Sequence, residues 1–323
     1  MSEPRVLIVR FSAIGDCIMS AWAVTGIRLA YPKAYIAWAV QSQFASVIDT
    51  DRMVDLCHEL PRERWKSQRW SPATWREQVV AYTLLRRHKF DYGFDFHGHS
   101  KTALLLRLAN PRQRVSSSAT DRFVRMLNPV RDDENLPQHE VERNISLVNS
   151  LLPITEPEKP YLPTFRHAVP ELERATESGQ VITIQTGTSA KWKIYPAELW
   201  SEVAELLAKP NRTIIALGGP TDPVIEHPDV QNFVGKCDLS SAFAAVADST
   251  VHVAADTGTG HAAAAFGVPT VSLFGPTDPA RYAPWSPLNT VLRNGKRAKS
   301  IPPSDVAAAV ENSLQGVARA HSN

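Results

Sequence analysis

Short β-branched runs alternate with stretches of helical periodicity along most of the chain. Residues 6–9 (VLIV) form one such run, which stops at a polar turn over 10–16; beyond it Ile18, Ala21, Ile27 and Leu29 recur at helical spacing. Comparable units follow: strands over 35–40 and 53–60, a helix over 75–87, and a strand over 92–97 leading into a helix over 101–109. Strands alternating with helices predict a parallel sheet covered on both faces. Pro153, Pro157, Pro160, Pro163 and Pro170 then interrupt the pattern, which places a linker there and predicts two domains, 1–160 and 161–323. The alternation restarts with a strand over 181–185, a helix over 196–208, strands over 213–217 and 251–255, a helix from Gly260, and a strand over 270–274. A final helix over 304–314 has no packing partner that the pattern specifies. The expected fold is α/β, two Rossmann-like parallel-sheet domains facing a central cleft at the carboxyl ends of their strands, where open sheets bind ligands.

Composition narrows the function classes. The 323 residues suffice for two domains with full cores, and 43% hydrophobic with 21% charged residues is ordinary for a globular protein. Lys and Arg number 35 against 33 Asp and Glu, too balanced for a surface built to hold nucleic acid, so any basic site is local. Cys17, Cys57 and Cys237 are odd in number and show no CxxC spacing, which argues against a disulfide framework or a structural zinc. The N-terminus carries Arg10 and Asp16 where a signal peptide would be apolar, and no apolar run reaches the roughly 20 residues of a membrane span. The expected location is cytoplasmic, with any membrane contact made from the surface.

Four polar loops at predicted strand ends carry the candidate chemistry: 12–16 (SAIGD), 186–196 (TGTSAKWKIYP), 218–222 (GGPTD) and 256–261 (DTGTGH). Gly15 before a helix lets backbone N–H groups approach an anion. Asp16 beside it either takes a proton from a hydroxyl or caps the helix. Gly258, Thr259 and Gly260 ahead of an alanine-rich helix suit a phosphate at a helix N-terminus, and Lys193, framed by Trp192, Tyr195 and Pro196, offers matching charge. The same glycines also fit the GxGxxA dinucleotide fingerprint, with Asp278 twenty residues after Gly258, so an NAD-dependent oxidoreductase is the alternative. Against it, Asp278 follows the GP turn rather than ending a strand. A non-catalytic nucleotide-sugar-binding module is a third reading.

His97-Gly98-His99 reads as a loop whose histidines hydrogen-bond substrate or backbone, since no metal-ligand spacing accompanies it. No Walker A, GxSxG or EF-hand pattern is present, which leaves two-domain transferases. Residues 61–77 interleave Trp65, Trp70 and Trp75 with Arg62, Arg64, Lys66, Arg69 and Arg76. Such a stretch suits an anionic sugar, a phosphate or a membrane headgroup zone, or else is a solvated loop whose tryptophans tuck into the core.

Taken together, these segments resemble glycosyltransferase family 9, the ADP-heptose:lipopolysaccharide heptosyltransferases. RVLIVRFSAIGDCIMSAWAV resembles the family's strand, S-x-x-G-D loop and helix; FDYGFDFHGHSKTALLLRLA its middle first-domain strand and helix; HEVERNISLV its H-x-V-x-R segment. GTSAKWKIYPAELW resembles the G-x(5)-K-x-W-P motif, with Tyr195 in place of the usual Trp, and VAADTGTGHAAAAFGVPTVSLFGPTDPARYAPW resembles the D-T-G-x-x-H-x-A-A and G-P-T-D-P signatures. The resemblance implies a GT-B fold, an acceptor-binding first domain and a nucleotide-sugar-binding second domain. It implies an inverting transfer in which Asp16 is the general base. Lys193, Thr257 and Gly258 would hold the diphosphate, Asp256 and His261 would shape the donor pocket, and Asp222 and Thr188 would contact the rest of the donor. Arg62, Arg64, Lys66, Arg69, Lys101, Arg122 and Arg143 are the candidate acceptor contacts. The implied donor is ADP-heptose and the implied acceptor a lipid-linked anionic saccharide, the lipopolysaccharide inner core or a related surface glycan, at the cytoplasmic face of the inner membrane. No DxD motif occurs, so no obligatory metal or cofactor is expected.

Overall fold

The computed structural model describes residues 3–131, 136–177, 179–188 and 190–320. The chain divides into two compact units, Met1–Pro163 and Thr164–Asn323. In the first unit strands β1 (Arg5–Val9), β2 (Tyr35–Gln41), β3 (Leu56–Leu60), β4 (Tyr92–Asp95) and β5 (Gln113–Ser116) form one sheet in the order β3-β2-β1-β4-β5, and all neighbours are parallel. Its helices are α1 (Ile14–Ala30), α2 (Arg62–Ser67), α3 (Pro72–Leu84), α4 (Ser100–Ala109), α5 (Arg122–Leu127) and α6 (Glu140–Asn149). Val6, Leu7, Ile8 and Val9 are all fully buried. A central parallel strand covered on both faces demands this, and it is why β1 reads as a continuous apolar run rather than an alternating one.

The second unit repeats the plan. Strands β6 (Gln180–Gln185), β7 (Arg212–Leu217), β8 (Val230–Asn232), β9 (Val251–Ala255), β10 (Thr270–Phe274) and β11 (Asn289–Arg293) form a parallel sheet in the order β11-β10-β9-β6-β7-β8. Helices α7 (Pro170–Thr176), α8 (Ala197–Leu207), α9 (Leu239–Ala247), α10 (Gly258–Phe266), α11 (Pro279–Tyr282) and α12 (Pro303–Ala320) belong to it. The final helix packs on α8 and against β9, β10 and β11. Among its residues, Val306, Val310 and Leu314 enter the same core as Trp200 and Val253.

Three expectations are corrected. The strand expected over 53–60 begins only at Leu56, because Asp49 turns the chain first: its carboxylate accepts from the Asp51 and Arg52 N–H groups, and its carbonyl from Val54 N–H. Met53 and Val54 are therefore buried without pairing in the sheet. The helix expected over 75–87 starts three residues earlier, with Pro72 in its first turn, where a missing N–H costs nothing, and it gives way to a 3-10 turn over Leu85–His88. The strand expected over 92–97 ends at Asp95, whose carboxylate takes the N–H groups of His97 and Gly98 and so bends the backbone out of the sheet.

Candidate active site

In the first unit the loop from β1 to α1 delivers Asp16. Ala13 is the N-cap of α1, and Asp16, three residues on, accepts the Ala13 N–H at Oδ2 (2.9 Å). The other oxygen, Oδ1, lies 2.5 Å from Arg10 Nη2. Helix capping and ion pairing thus use different oxygens of one carboxylate, whose side chain stays 28% exposed. Arg10 itself is buried and held from several sides. Its Nε donates to the Ser12 carbonyl (3.0 Å), its Nη1 donates to the Phe96 carbonyl and lies 3.8 Å from Glu140, and its own carbonyl accepts from the Trp38 indole. Burial works against the guanidinium's charge, but Asp16 and Glu140 outweigh burial and raise its pKa above the ordinary value. Sequence reasoning did not find Arg10. The signal was present, since a cation directly following four apolar strand residues must be buried with a partner.

The HEVERN segment explains itself here. His139 caps α6 by accepting from Val141 N–H, and the buried Glu140 carboxylate is what reaches Arg10. Arg143 donates to the Pro137 carbonyl and lies 4.0 Å from Glu140, so its guanidinium is engaged within the same segment.

Beside this support lies the His97-Gly98-His99 turn, anchored by Asp95. The Asp95 carboxylate is fully buried and accepts from His97 N–H, Gly98 N–H, Thr102 Oγ1 and Ser116 Oγ. Gly98 adopts φ 67°, and a side chain there would strike Ser118, so only glycine lets the turn close. Burial, opposed by those four hydrogen bonds, raises Asp95 to about 6. Because the folded value lies above that of an ordinary aspartate, this group stabilises the fold fully below about pH 4, and that contribution is lost as pH rises through about 6. Two pKa units correspond to about 3 kcal/mol. Thermal unfolding of wild type and Asp95→Asn across that window should show the wild type's relative advantage shrinking as pH rises. A flat or growing advantage would contradict the assignment.

His97 and His99 stand with ring centroids 4.6 Å apart. Burial first, then the charges of Arg10 and His99, lowers His97 to about 3, so it is neutral at working pH, and its buried Nδ1 has no hydrogen-bond partner among the described residues. His99 Nδ1 meets Thr120 Oγ1 at 3.1 Å. Both histidines line a cavity of about 320 Å³ together with Phe11, Arg62, Lys66, Lys101 and Asp121. The Arg62 guanidinium is buried over the Phe11 ring (4.9 Å) and donates to the Tyr82 hydroxyl (3.2 Å). Burial, then repulsion from Arg62 and Lys66, lowers the pKa of Lys101. Arg62, Lys66 and Lys101 against Asp121 and the Glu63 that pairs with Lys66 leave the cavity net positive, which suits an anion.

The structure therefore brings Arg62, Lys66 and Lys101 together. Arg64, Arg69, Arg122 and Arg143 do not line this cavity. Arg64 pairs with Glu77, Lys66 with Glu63 (2.6 Å), Arg69 lies over the Trp70 ring, and Arg122 over the Phe123 ring. Residues 61–77, for which a solvated loop was the alternative, instead hold α2 and the first half of α3, with Trp65 buried but Trp70 and Trp75 exposed.

In the second unit the loops after β6, β7 and β9 carry the other candidates. Lys193 Nζ lies 2.5 Å from Asp256 Oδ2 and 5.0 Å from the centroid of the Trp192 ring. Thr257 is the N-cap residue of α10, yet its hydroxyl makes no capping bond; it meets Thr259 Oγ1 at 3.0 Å. Thr259 in turn meets His252 Nε2 (3.0 Å), and His252 Nδ1 meets Thr183 Oγ1 (2.9 Å). This buried chain fixes the Thr257 hydroxyl beside the first-turn N–H groups of α10, and burial holds His252 neutral at about 3. His252 and Thr183 were not legible as site supports, because inside strands they read as ordinary core positions. Gly258 opens α10 and His261 is buried within it.

Asp222 accepts from Gly219 N–H (2.7 Å), and its carboxylate lies where a side chain on Gly187 would stand, so Gly187 is the residue that admits it. The Thr188 hydroxyl donates to the Ala190 carbonyl (2.7 Å) and accepts from its N–H. Tyr195 is buried against Trp200, its hydroxyl on the Ile301 carbonyl, so the residue that departs from the family motif is a core residue. Asp278, the acid of the dinucleotide reading, caps α11 by accepting from Ala280 N–H. Among the described residues no group of three or more His, Cys, Asp or Glu is placed to hold a metal ion.

Two parallel-sheet units, one presenting a braced carboxylate after its first strand and the other a lysine beside a helix N-terminus, define a GT-B type glycosyltransferase. The family model described as glycosyltransferase family 9 (heptosyltransferase) matches residues 81–305. The chain belongs to that family. It is similar to lipopolysaccharide heptosyltransferase 1 of Pseudomonas aeruginosa, 27% identical over 291 residues that cover 85% of this chain and 79% of that protein. Lipopolysaccharide heptosyltransferase 1 of Escherichia coli K12 is 26% identical over 285 residues, 85% of this chain and 89% of that protein. Among solved structures, E. coli heptosyltransferase WaaC with ADP superposes with a TM-score of 0.79 at 24% identity, covering 96% of this chain and 99% of that one. The oxidoreductase reading of the Gly258 loop falls away.

Proposed function

We propose that this glycosyltransferase moves heptose from ADP-heptose onto the inner core of lipopolysaccharide, with inversion at the anomeric carbon. The observation that carries the reading is the Asp16 carboxylate, braced by Arg10 and still open to solvent. The names of the relatives supply the sugar and the acceptor class. In this reading residues 1–160 bind the acceptor and 161–323 the donor. An acceptor hydroxyl loses its proton to Asp16 as its oxygen bonds to the anomeric carbon, while the bond from that carbon to the diphosphate breaks and ADP departs. Lys193, the Thr257 hydroxyl and the N–H groups opening α10 face the charge that grows on the leaving phosphate. Asp256 and His261 shape that pocket, and Asp222 and Thr188 border it. The proposed step draws its positive charge from these groups and assigns no metal or cofactor. The work is done at the cytoplasmic face of the inner membrane. Among the described residues no helix is long and apolar enough to cross a membrane.

Complementation of defined lipopolysaccharide-core mutants, paired with turnover on ADP-heptose against UDP- and GDP-sugars, tests donor and acceptor together. Rescue of a strain lacking the first inner-core heptose supports the reading, and activity only with another nucleotide would overturn it. The anion cavity gives a separate expectation. Replacing Arg62 and Lys66 by Ser should raise the acceptor KM and leave ADP affinity unchanged, and the wild-type acceptor KM should rise with salt, since charges are screened within about 10 Å at 0.1 M. An unaltered acceptor KM would remove the cavity from the acceptor site.

A further inference from the structure

The exposed apolar side chains of the first unit are concentrated on a few helices. Trp70 (81% exposed), Trp75, Val79, Val80 and Leu84 lie on α3 or just before it, Leu104 on α4, and Phe123 and Met126 (74%) on α5. Helix α3 packs on α4, and α4 on α5. The Trp75 indole N–H is already satisfied by the Arg69 carbonyl (2.8 Å), so this ring meets its surroundings as an apolar surface with its one donor used. Apolar exposure on this scale marks an interaction surface.

The charge on the same elements is strongly one-sided. Residues 62–89 and 100–127 carry 14 Lys and Arg against 3 Asp and Glu, which leaves 21 against 30 in the rest of the chain. Arg69, Arg76, Arg86, Arg87, Arg107, Arg122 and Arg125 are all exposed. Aromatic and aliphatic side chains among arginines are what the interface of an anionic bilayer accepts, apolar groups entering below the headgroups and guanidinium groups staying among the phosphates. A second copy of the chain docked on the same face would set these cations against each other. Val79, Val80 and Met126 offer no stacking surface to a nucleic acid base. The anion cavity supports the same orientation, because Lys66 follows Trp65 on α2, Lys101 lies in the first turn of α4 and Asp121 caps α5.

We propose that the face built by α3, α4 and α5 is a docking surface for an anionic lipid bilayer, set so that a lipid-anchored acceptor enters the Arg62–Lys101 cavity directly from the membrane. The orientation rests on the acceptor-binding role proposed for the first unit; the docking surface itself does not. Flotation of the full chain with phosphatidylglycerol-containing vesicles, with neutral phosphatidylcholine vesicles as reference, tests it. The chain should float with the anionic vesicles, less so as salt rises, and not with the neutral ones. Arg76→Ser and Arg86→Ser should each lower partitioning roughly fivefold, and Trp75→Ser with Met126→Ser should lower it again. All of these variants should turn over a water-soluble acceptor saccharide at the wild-type rate. Wild-type protein that stays with the soluble fraction, or variants that float as well as wild type, would overturn the proposal. Flotation that persists in a protein inactive with ADP-heptose would uphold the surface and remove the functional reading alone.

Discussion

Asp16→Asn should yield a folded protein with near-normal ADP binding and turnover reduced at least about 100-fold. A sugar hydroxyl is a poor nucleophile at neutral pH, and a carboxylate that receives its proton as the new bond forms contributes typically about 10²–10⁴-fold. The structure makes this substitution unusually informative. The cap at Ala13 N–H needs only one acceptor oxygen, which Asn supplies, so α1 keeps its start. Arg10 keeps Ser12, Phe96 and Glu140 as partners. Asn cannot take a proton, and with its oxygen kept on the Ala13 N–H its amide NH2 faces Arg10 in place of Oδ1, so the thermal melt reports the lost ion pair while turnover reports the lost base. Steady-state turnover, ADP titration by tryptophan fluorescence and a thermal melt form the full measurement. A loss below tenfold would place the base elsewhere. His97, held neutral by a pKa of about 3, is a weak substitute, which leaves His99 as the next residue to test. A non-catalytic binding module would instead keep its full cellular function in Asp16→Asn.

Lys193→Ala should lower turnover and donor affinity together, by about 10- to 150-fold, as expected when a hydrogen bond to a charged group worth roughly 1.5–3 kcal/mol is removed. Both parameters should respond because the leaving diphosphate gains negative charge as the sugar bond breaks. The pairing with Asp256 adds a second arm. Without its ammonium, the partly buried Asp256 carboxylate would face the diphosphate unneutralised, so part of the loss is repulsion and not a missing contact. Adding Asp256→Asn to Lys193→Ala should therefore restore some donor binding without restoring turnover. Normal kinetics in Lys193→Ala would leave this lysine as a structural partner of Asp256 alone. A double variant no better than the single one would show that Asp256 points away from the donor.

The chain's hydrophobic pattern identified central strands more readily than edge strands. β1 and β2 leave apolar runs, and β6, β9 and β10, also buried on both faces, are interrupted internally only by Thr183, His252 and Ser272. β5, β8 and β11 lie at sheet edges and are short or half-exposed, and their sequences, QRVS, VQN and NTVLR, carry no such run. Helices α5 and α6 were missed for different reasons: α5 has six residues and buries only Val124, whereas α6 carries an apolar stripe of Val141, Ile145 and Val148 on a segment read for its motif alone.

The sequence by itself determined the two parallel α/β sheets, the family, and the polar loops that carry Asp16, Lys193 and the α10 terminus. Those properties follow from period, local turn chemistry and motif order, all of which are written within a few residues of each other. Tertiary structure alone decided which side chains meet. Arg10 reaches Glu140 from 130 positions away, Lys193 reaches Asp256 from 63, and Thr183 supports Thr259 through His252. It also placed three of the seven candidate acceptor cations, Arg62, Lys66 and Lys101, in one cavity. The physical reason is that charge and hydrogen-bond partners are chosen by distance in space, which only the folded sheets set, while a loop's composition shows what a residue can do and not what stands opposite it.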